Sequence, residues 1–512
     1  MNKIVTVKIH PAIGIARIGN SPDGFFIGPE KPGLHPRPTG GYRDAQGRIK
    51  RQAARFRLFG YDKDGNPVRE ITAKEATISW TVELTNKKAE WIKFQGPKSR
   101  TDKSLRRNPT VVDRGSLMID PGPRSLDGPN QASSFDTGSF LGTRVPLGDI
   151  RTDAQGRLLV LGGFGRSSSP ANMPIRENEF ANNDGWHDDV SDGPVRATLK
   201  FKTNGTIVNA VGAWVICAVP KFAPPIENVI TLYDVLLQVA LDKLGLTLPA
   251  KPSFTTDIYP LLQRAIKMKW VTGMVAHAPA HAGAPEHGGD AGPAHASLAK
   301  VTINPAQVSA AARLAIFSRL RDPALRPRQS SGESDMPMIH SDVYPAEVNQ
   351  PLTRIQYAAM EKWKDGDFVD DWPGASAASG RITPEGLDRA ALDSCVGGAF
   401  YPGIEAGWML RDVYKFSEPF RLDAASLEAG DVTKQMAVPW QADFADCAQE
   451  GELAWWPAQR PDEVFPESGG PKVAWTRGIV NGKLDMVQKW HRLGFVVRKG
   501  SKYVETERNS QP

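Results

Sequence analysis

Three stretches of this chain hold residue types that could do chemistry. The first is Leu387-Asp388-Arg389-Ala390-Ala391-Leu392-Asp393-Ser394-Cys395-Val396-Gly397-Gly398, running on to Tyr401-Pro402-Gly403-Ile404-Glu405. A short helix leads into a cysteine followed by two glycines, which let backbone approach something closely. A buried cysteine is ordinarily inert, but this one stands at an element end beside Asp393, where sites tend to be built. The second stretch, residues 183–195, carries Asp184, His187, Asp188, Asp189 and Asp192. It reads either as a metal or proton-transfer site or as a turn closed by Asx hydrogen bonds before a strand starting near Val195. The third runs from Trp440 through Cys447 to Trp455-Trp456-Pro457-Ala458-Gln459-Arg460-Pro461-Asp462. Adjacent residues of a strand face opposite sides, so core packing accounts for only one of Trp455 and Trp456.

Signatures that are absent narrow the field. Gly162-Gly163-Phe164-Gly165 is not a GxGxxG, and no GxxxxGK[ST], GxSxG or HExxH occurs, which argues against nucleotide binding and the common hydrolase and zincin chemistries. The three cysteines, Cys217, Cys395 and Cys447, form no CxxC pair and no disulfide framework. Cys217 reads as plain core, and no metal site is expected.

The elements that must position these residues divide the chain in three. Residues 1–222 read as β-rich: Ala76–Leu84 alternates, Leu158–Leu161 enters a glycine turn, and Val208–Val219 is one apolar strand. Residues 223–340 read as a helical connector, with helices over Ile230–Leu244, Asp257–Arg264 (Pro260 in its first turn) and Ala306–Leu320. Inside it, Ala276–Ala296 contains only Ala, Gly, Pro, His, Glu and Asp, including His277, His281, His287 and His295. Such a segment has nothing large to bury and is expected to be a flexible loop. Residues 341–512 hold eight of the 13 tryptophans, from Trp363 to Trp490, which means core or a site built from tryptophan. The class expected is α+β, with a mixed C-terminal region carrying the site.

Composition agrees with a globular chain: 40% hydrophobic and 23% charged residues over 512 positions, at net charge +6. The basic run Lys98–Arg107 lacks interleaved aromatics and reads as a solvated loop rather than a nucleic-acid patch. No apolar run is long enough to span a bilayer, and no signal segment is visible. The expected location is cytoplasmic, or outside the cell by export without a recognisable signal.

The three stretches, together with His10-Pro11-Ala12-Ile13-Gly14-Ile15-Ala16-Arg17-Ile18-Gly19-Asn20-Ser21, resemble the L-lysine 6-oxidase and glycine oxidase family of quinoprotein amino-acid oxidases. The resemblance spans nearly the whole chain, to Trp490–Val496. It implies a cysteine tryptophylquinone cofactor made from Cys395 and either Trp455 or Trp456, with Cys447 structural. A substrate amine would form a Schiff base on the quinone, a carboxylate would remove the α-type proton, and dioxygen would reoxidise the cofactor, releasing hydrogen peroxide and ammonia. The base candidates are Asp485, Asp393 and Asp188; Asp393 is alternatively an aid to cofactor formation. Arg460 is a candidate for a substrate carboxylate, and His187 for substrate binding. The resemblance further implies a small-molecule amine or amino-acid substrate, a flavoprotein maturation partner and a homo-oligomer. Two other readings stay open: a structural or binding protein in which the cross-link never forms, and a metal-dependent enzyme using Asp184–Asp192.

Overall fold

The computed structural model describes residues 4–94, 105–272, 308–325, 336–337, 339, 350–374, 380–397, 404–406, 409–446 and 458–509. Its scaffold is a 13-stranded sheet built wholly from strands between Thr6 and Ala218. The main path runs Arg124–Asp127, Ala76–Val82, Ser191–Phe201, Ala213–Ala218, Ile13–Arg17, Arg51–Tyr61, Leu158–Leu161, Asp149–Thr152 and Ala132–Ser134. Neighbours on this path are antiparallel except one pair. Ala213–Ala218 lies parallel to Ile13–Arg17, with Trp214 opposite Ile13 and Ala218 opposite Arg17. The eleven-residue strand Arg51–Tyr61 is shared between partners: Thr6–His10 pairs its second half and Leu158–Leu161 its first. The inner face buries Phe56, Leu58, Ile78, Trp80, Val160 and Leu199. Gly14 is required where two layers meet, because a Cβ there would sit 2.3 Å from the Phe56 ring.

The expected single strand Val208–Val219 is broken in two. Ile207–Asn209 pairs back on Ser191–Phe201, and the next strand starts only at Ala213. Between them the Val211 N–H leaves the register to donate to the Val7 carbonyl, and Ile207 is exposed. Apolarity alone does not reveal such a turn. The strand expected from Val195 begins at Ser191, so Asp192 lies inside it. Arg107, placed by sequence in a solvated loop, is buried; its Nε donates to Asn182 Oδ1. Most of that basic run lies outside the described residues.

Helices cover the sheet's other face. Leu232–Lys243 starts at a capping box of Thr231 and Asp234. Tyr259–Lys267 follows a single wide turn, Phe254–Ile258, and Pro260 sits in its first turn. Ala310–Phe317 forms the core of the expected third helix; the loop Ala276–Ala296 lies outside the described residues. Pro384–Asp393 is capped by Thr383, whose hydroxyl accepts from the Gly386 N–H. Leu232, Leu236, Ala391, Leu392 and Cys395 close a core with Ile13, Ile15, Trp214 and Ile216 of the two parallel strands. A further core gathers Phe222, Trp440, Phe444, Trp475, Trp490 and Phe495, so most of the C-terminal tryptophans that can be placed are packing. The whole is α+β, as the patterning predicts. Among the described residues no helix is long and apolar enough to cross a membrane.

Candidate active site

The two parallel strands deliver their C-terminal ends to one place. Arg17 ends the first strand, and Lys221 follows the second across Pro220. Ligand sites form beyond the carboxyl ends of parallel strands because the chain departs there in different directions. Into this position the helix Pro384–Asp393 delivers Ser394 and Cys395. Cys395 is 1% exposed. Arg17 Nη2 approaches its sulfur at 3.6 Å, and the thiol can donate to the Ala391 carbonyl at 3.7 Å. Burial, then the negative charge of Glu405, pushes the thiol up to about 12, against the opposing pull of Arg17, Ser394 and Lys221.

One carbonyl organises the surroundings. Ser394 O accepts from Arg17 Nη2 at 3.0 Å, Lys221 Nζ at 3.1 Å and Gln459 Nε2 at 3.2 Å. Arg17 also pairs with Glu405 at 2.6 Å, both side chains being buried. Glu405 Oε2 accepts the Val396 N–H at 2.5 Å and Gln459 Nε2 at 3.3 Å. Asn228 fixes Gln459 by donating to its Oε1 at 2.9 Å, and accepts the Ala458 N–H at 3.0 Å. The segment after Cys395 is tied to the start of the helix Leu232–Lys243. Leu232 N donates to Cys395 O, and Gly397 N to Ile230 O.

A second buried network supports the first. Arg264 reaches Asp393 at 2.7 Å, and Asp234 and Glu227 at 3.0 Å each. Its guanidinium, followed by His35 and Lys221, holds Glu227 well below the usual carboxylate range despite burial. His35 Nε2 stands 3.5 Å from Glu227, while burial holds that imidazole down at about 4. Beside Ala391 and Ser394 a cavity of about 20 Å³ lined also by Pro11, Gln52 and Leu387 has room for about one water.

Of the residues singled out by sequence, Cys395 and Asp393 meet here. Asp393 faces Arg264, accepts from Thr231 Oγ1 at 2.9 Å, and lies 3.2 Å from Arg389. The others are held by different partners. Asp188 is fully buried against Lys88 at 2.5 Å and accepts the Trp440 N–H at 2.9 Å. His187 Nε2 is 2.8 Å from Ser168 Oγ, and burial lowers its pKa. Asp485 accepts from the Val480 and Asn481 N–H groups and from Lys489, whose ammonium holds it down at about 2. Arg460 is buried, with Nε on Phe444 O at 2.7 Å and Nη1 on Pro461 O at 3.2 Å. Trp455, Trp456 and Cys447 lie outside the described residues. Cys217 is plain core: it is fully buried in its strand, with the thiol pushed up to about 12 by burial. Sequence reasoning assigned no role to Arg17, Lys221, Glu405, Asn228, Glu227, Arg264 or Gln459. Arg17, Glu405 and Gln459 do stand inside the quoted motifs, which was the available signal.

Known proteins share this fold. A family model described as L-lysine epsilon oxidase N-terminal matches residues 10–217, and one described as L-lysine epsilon oxidase C-terminal domain matches residues 334–469. The chain belongs to the L-lysine epsilon oxidase family. It is 24% identical to the L-lysine 6-oxidase of Marinomonas mediterranea over 672 aligned positions, covering 99% of this chain and 90% of that protein. The crystal structure of the L-Lys epsilon-oxidase from the same organism superimposes with a TM-score of 0.79 at 23% identity, covering 98% of this chain and 95% of that one. A second structure, of that enzyme's Schiff base intermediate with L-Lys, superimposes equally well, with a TM-score of 0.79. The family's two matched segments supply the two halves of the site. Arg17 lies in the N-terminal match; Cys395, Glu405 and Gln459 lie in the C-terminal one. Lys221, Asn228, Glu227 and Arg264 come from the stretch between.

Proposed function

We propose that this chain is a quinoprotein oxidase of the primary amine of an amino acid, with a cysteine tryptophylquinone formed from Cys395 and Trp455 or Trp456. The observation that carries the reading is the closed shell around Cys395. A lone thiol in an ordinary core needs no buried arginine–glutamate pair, no lysine and no clamped glutamine. Gln459 stands three residues after Trp456 and four after Trp455, and its side chain reaches the carbonyl that precedes Cys395. The donor set therefore fits a cross-link between these segments.

The quinone would supply what protein side chains lack, an electrophilic carbonyl and a two-electron acceptor. The chain's own residues do the rest. The apolar core of Leu392, Ile216 and Trp214 excludes water from the sulfur side. Arg17, Lys221 and Gln459 fix the Ser394 peptide, and hence the direction of the Cys395 side chain. Glu405 is the carboxylate whose charge reaches the thiol. Asp393, bound by Arg264 and Thr231, acts as the anchor of its helix end and not as the proton-removing base. Asp188 anchors the Trp440 segment in the same way, through the N–H that it accepts.

The relatives' names specify L-lysine. The 672-position alignment against 512 residues here places whole insertions in the relative, so the amine taken by this chain is left to assay. Dioxygen as oxidant, the flavoprotein maturation partner, a homo-oligomeric assembly and the division near residues 222 and 340 belong to the same proposal. A metal enzyme is disfavoured: Asp188, Asp189 and Asp192 already accept backbone N–H groups or Lys88. No three His, Cys, Asp or Glu side chains among the described residues converge on a metal position.

The test is the full chain produced together with its flavoprotein partner. A visible absorption band, an intact mass with two oxygens gained and four hydrogens lost, and amine-dependent peroxide are expected. An unmodified Cys395 peptide with no amine oxidation in that sample would leave the chain a binding or structural member of its family.

A further inference from the structure

We propose that His10 and Asp388 are positioning residues for Cys395: together they fix how the helix that delivers the cysteine lies on the sheet, an inference that rests on the role given to Cys395 above. Both stand in motifs singled out by sequence, and neither has a part in the shell around the thiol. Asp388 precedes Cys395 by seven residues, about two helical turns. Its Oδ1 accepts the Ala12 N–H at 2.6 Å. His10 Nδ1 lies 3.0 Å from the same oxygen and 3.1 Å from Oδ2. The cysteine end of the segment is tied to the sheet side at Ser394 O, by Arg17 and Lys221. A rod tied at one point pivots; the second tie, at Asp388, removes that freedom. The thiol needs it removed, because Arg17 Nη2, 3.6 Å from the sulfur, belongs to the sheet. A helix that rolls carries Cys395 away from it.

The surroundings of His10 leave its ring one orientation and one tautomer. The residue is 5% exposed, and Phe59 meets the ring edge-on with centroids 6.0 Å apart. Nε2 faces Tyr61 Oη at 2.8 Å and Arg421 Nη2 at 3.4 Å. A guanidinium only donates, so Nε2 presents a lone pair and the ring proton sits on Nδ1. A carboxylate accepts, which places the proton on the same nitrogen from the other side of the ring. Burial, then Glu385 and Asp388, pushes the Tyr61 phenol up, so it keeps its proton and donates to Nε2. Arg421 is itself fixed, with Nε on Glu418 at 2.5 Å and Nη1 on the Ile9 and Gly212 carbonyls. Leu387, next to Asp388, packs on Phe59 and Tyr61. His10 opens the N-terminal family match, while Asp388 and Arg421 lie in the C-terminal one. The junction therefore joins the two segments that supply the site.

The experiment compares wild type, His10→Asn, His10→Gln and Asp388→Ala, each as the full chain produced without the flavoprotein partner, so that Cys395 stays a thiol. Alkylation by N-ethylmaleimide is followed with peptide mapping at Cys395 and at Cys217. Cys217 is the internal control: it is equally buried, but in a strand of the sheet. Losing a hydrogen bond to a charged group should speed Cys395 alkylation about tenfold or more in His10→Gln and Asp388→Ala, with Cys217 unchanged. His10→Asn should react as wild type, since its amide nitrogen takes the place of Nδ1 and still donates to Asp388. The glutamine amide reaches the place of Nε2 instead and leaves Asp388 without that donor. Wild-type rates at Cys395 in His10→Gln and Asp388→Ala would overturn the inference, as would rescue by glutamine and not by asparagine. If both thiols quicken together the fold has been lost, and the wild-type ring then decides. In protein labelled with 15N-histidine, His10 should carry its proton on Nδ1; a proton on Nε2 refutes the clamp, because Nδ1 could not then donate to Asp388. Wild type that never cross-links when produced with its partner defeats the proposed function and leaves these rates standing, so the two failures are distinct.

Discussion

Gly397→Ala tests whether the Cys395 segment is held as described. At this position an added Cβ would lie 1.9 Å from the Thr231 carbonyl oxygen, 2.2 Å from its carbon and 2.7 Å from the Leu232 nitrogen. All three are backbone atoms at the start of a capped helix, so no side chain can swing aside. Two backbone hydrogen bonds join the segments, Gly397 N to Ile230 O and Leu232 N to Cys395 O. Forcing the strands apart loses about 1 kcal/mol for each bond. Overpacking adds roughly 1–3 kcal/mol. The sum is about 3–5 kcal/mol, a large effect for one methyl group. The assay is denaturant unfolding of the chain produced without its partner, so that no cofactor contributes. Intact mass of the coproduced variant should in addition show a lower cross-linked fraction, because Cys395 moves with the segment. A loss below about 1 kcal/mol with normal cross-linking would show that Thr231 does not crowd Gly397, and the site as built here would be wrong.

Two further outcomes follow from buried charge. Glu405→Gln leaves Arg17 buried without its counter-ion and should cost on the order of 3 kcal/mol in unfolding free energy; a change within about 0.5 kcal/mol would show that the ion pair is idle. Asp189→Asn concerns pH: burial raises Asp189 to about 7, against backbone N–H bonds from Arg166 and Phe164. The folded state thus holds a proton that the unfolded state releases near pH 4, so this contribution is full below about 4 and is lost as pH rises through about 7. Asparagine resembles the protonated acid, so the variant should gain on wild type by a few kcal/mol between pH 4 and 8, at about 1.4 kcal/mol per pKa unit. Equal pH profiles for the two proteins would refute a neutral Asp189.

What could be read from sequence follows from how local the information is. Alternation over Ala76–Val82 and the apolar run Leu158–Leu161 specify strands because burial at period two is a local signal. Thr231 and Thr383 mark helix starts for the same reason. Cys395 was legible through its glycines, and Gly397 is indeed where backbone crosses backbone. The shell around the thiol was not legible, because nothing local distinguishes Lys221 from a surface lysine after a proline, or Arg17 from the other basic residues of its region. Their meeting depends on one parallel pairing, of Ile13–Arg17 with Ala213–Ala218, between strands about 200 residues apart. Antiparallel pairing in the same register would send those two ends in opposite directions, so that Arg17 and Lys221 could not both reach Ser394 O. Two of the carboxylates chosen from sequence have partners that hold backbone in place. Asp188 and Asp485 are conspicuous because they stand beside tryptophan- or histidine-bearing motifs, yet Asp485 closes the start of its own helix, and Asp188 is taken up by Lys88 and the distant Trp440 N–H. Glu405, with a longer side chain and a place at the end of its motif, can leave its own segment and reach Arg17. The partner a carboxylate meets, which motif density does not show, separates the residues that build this site from those that hold its frame.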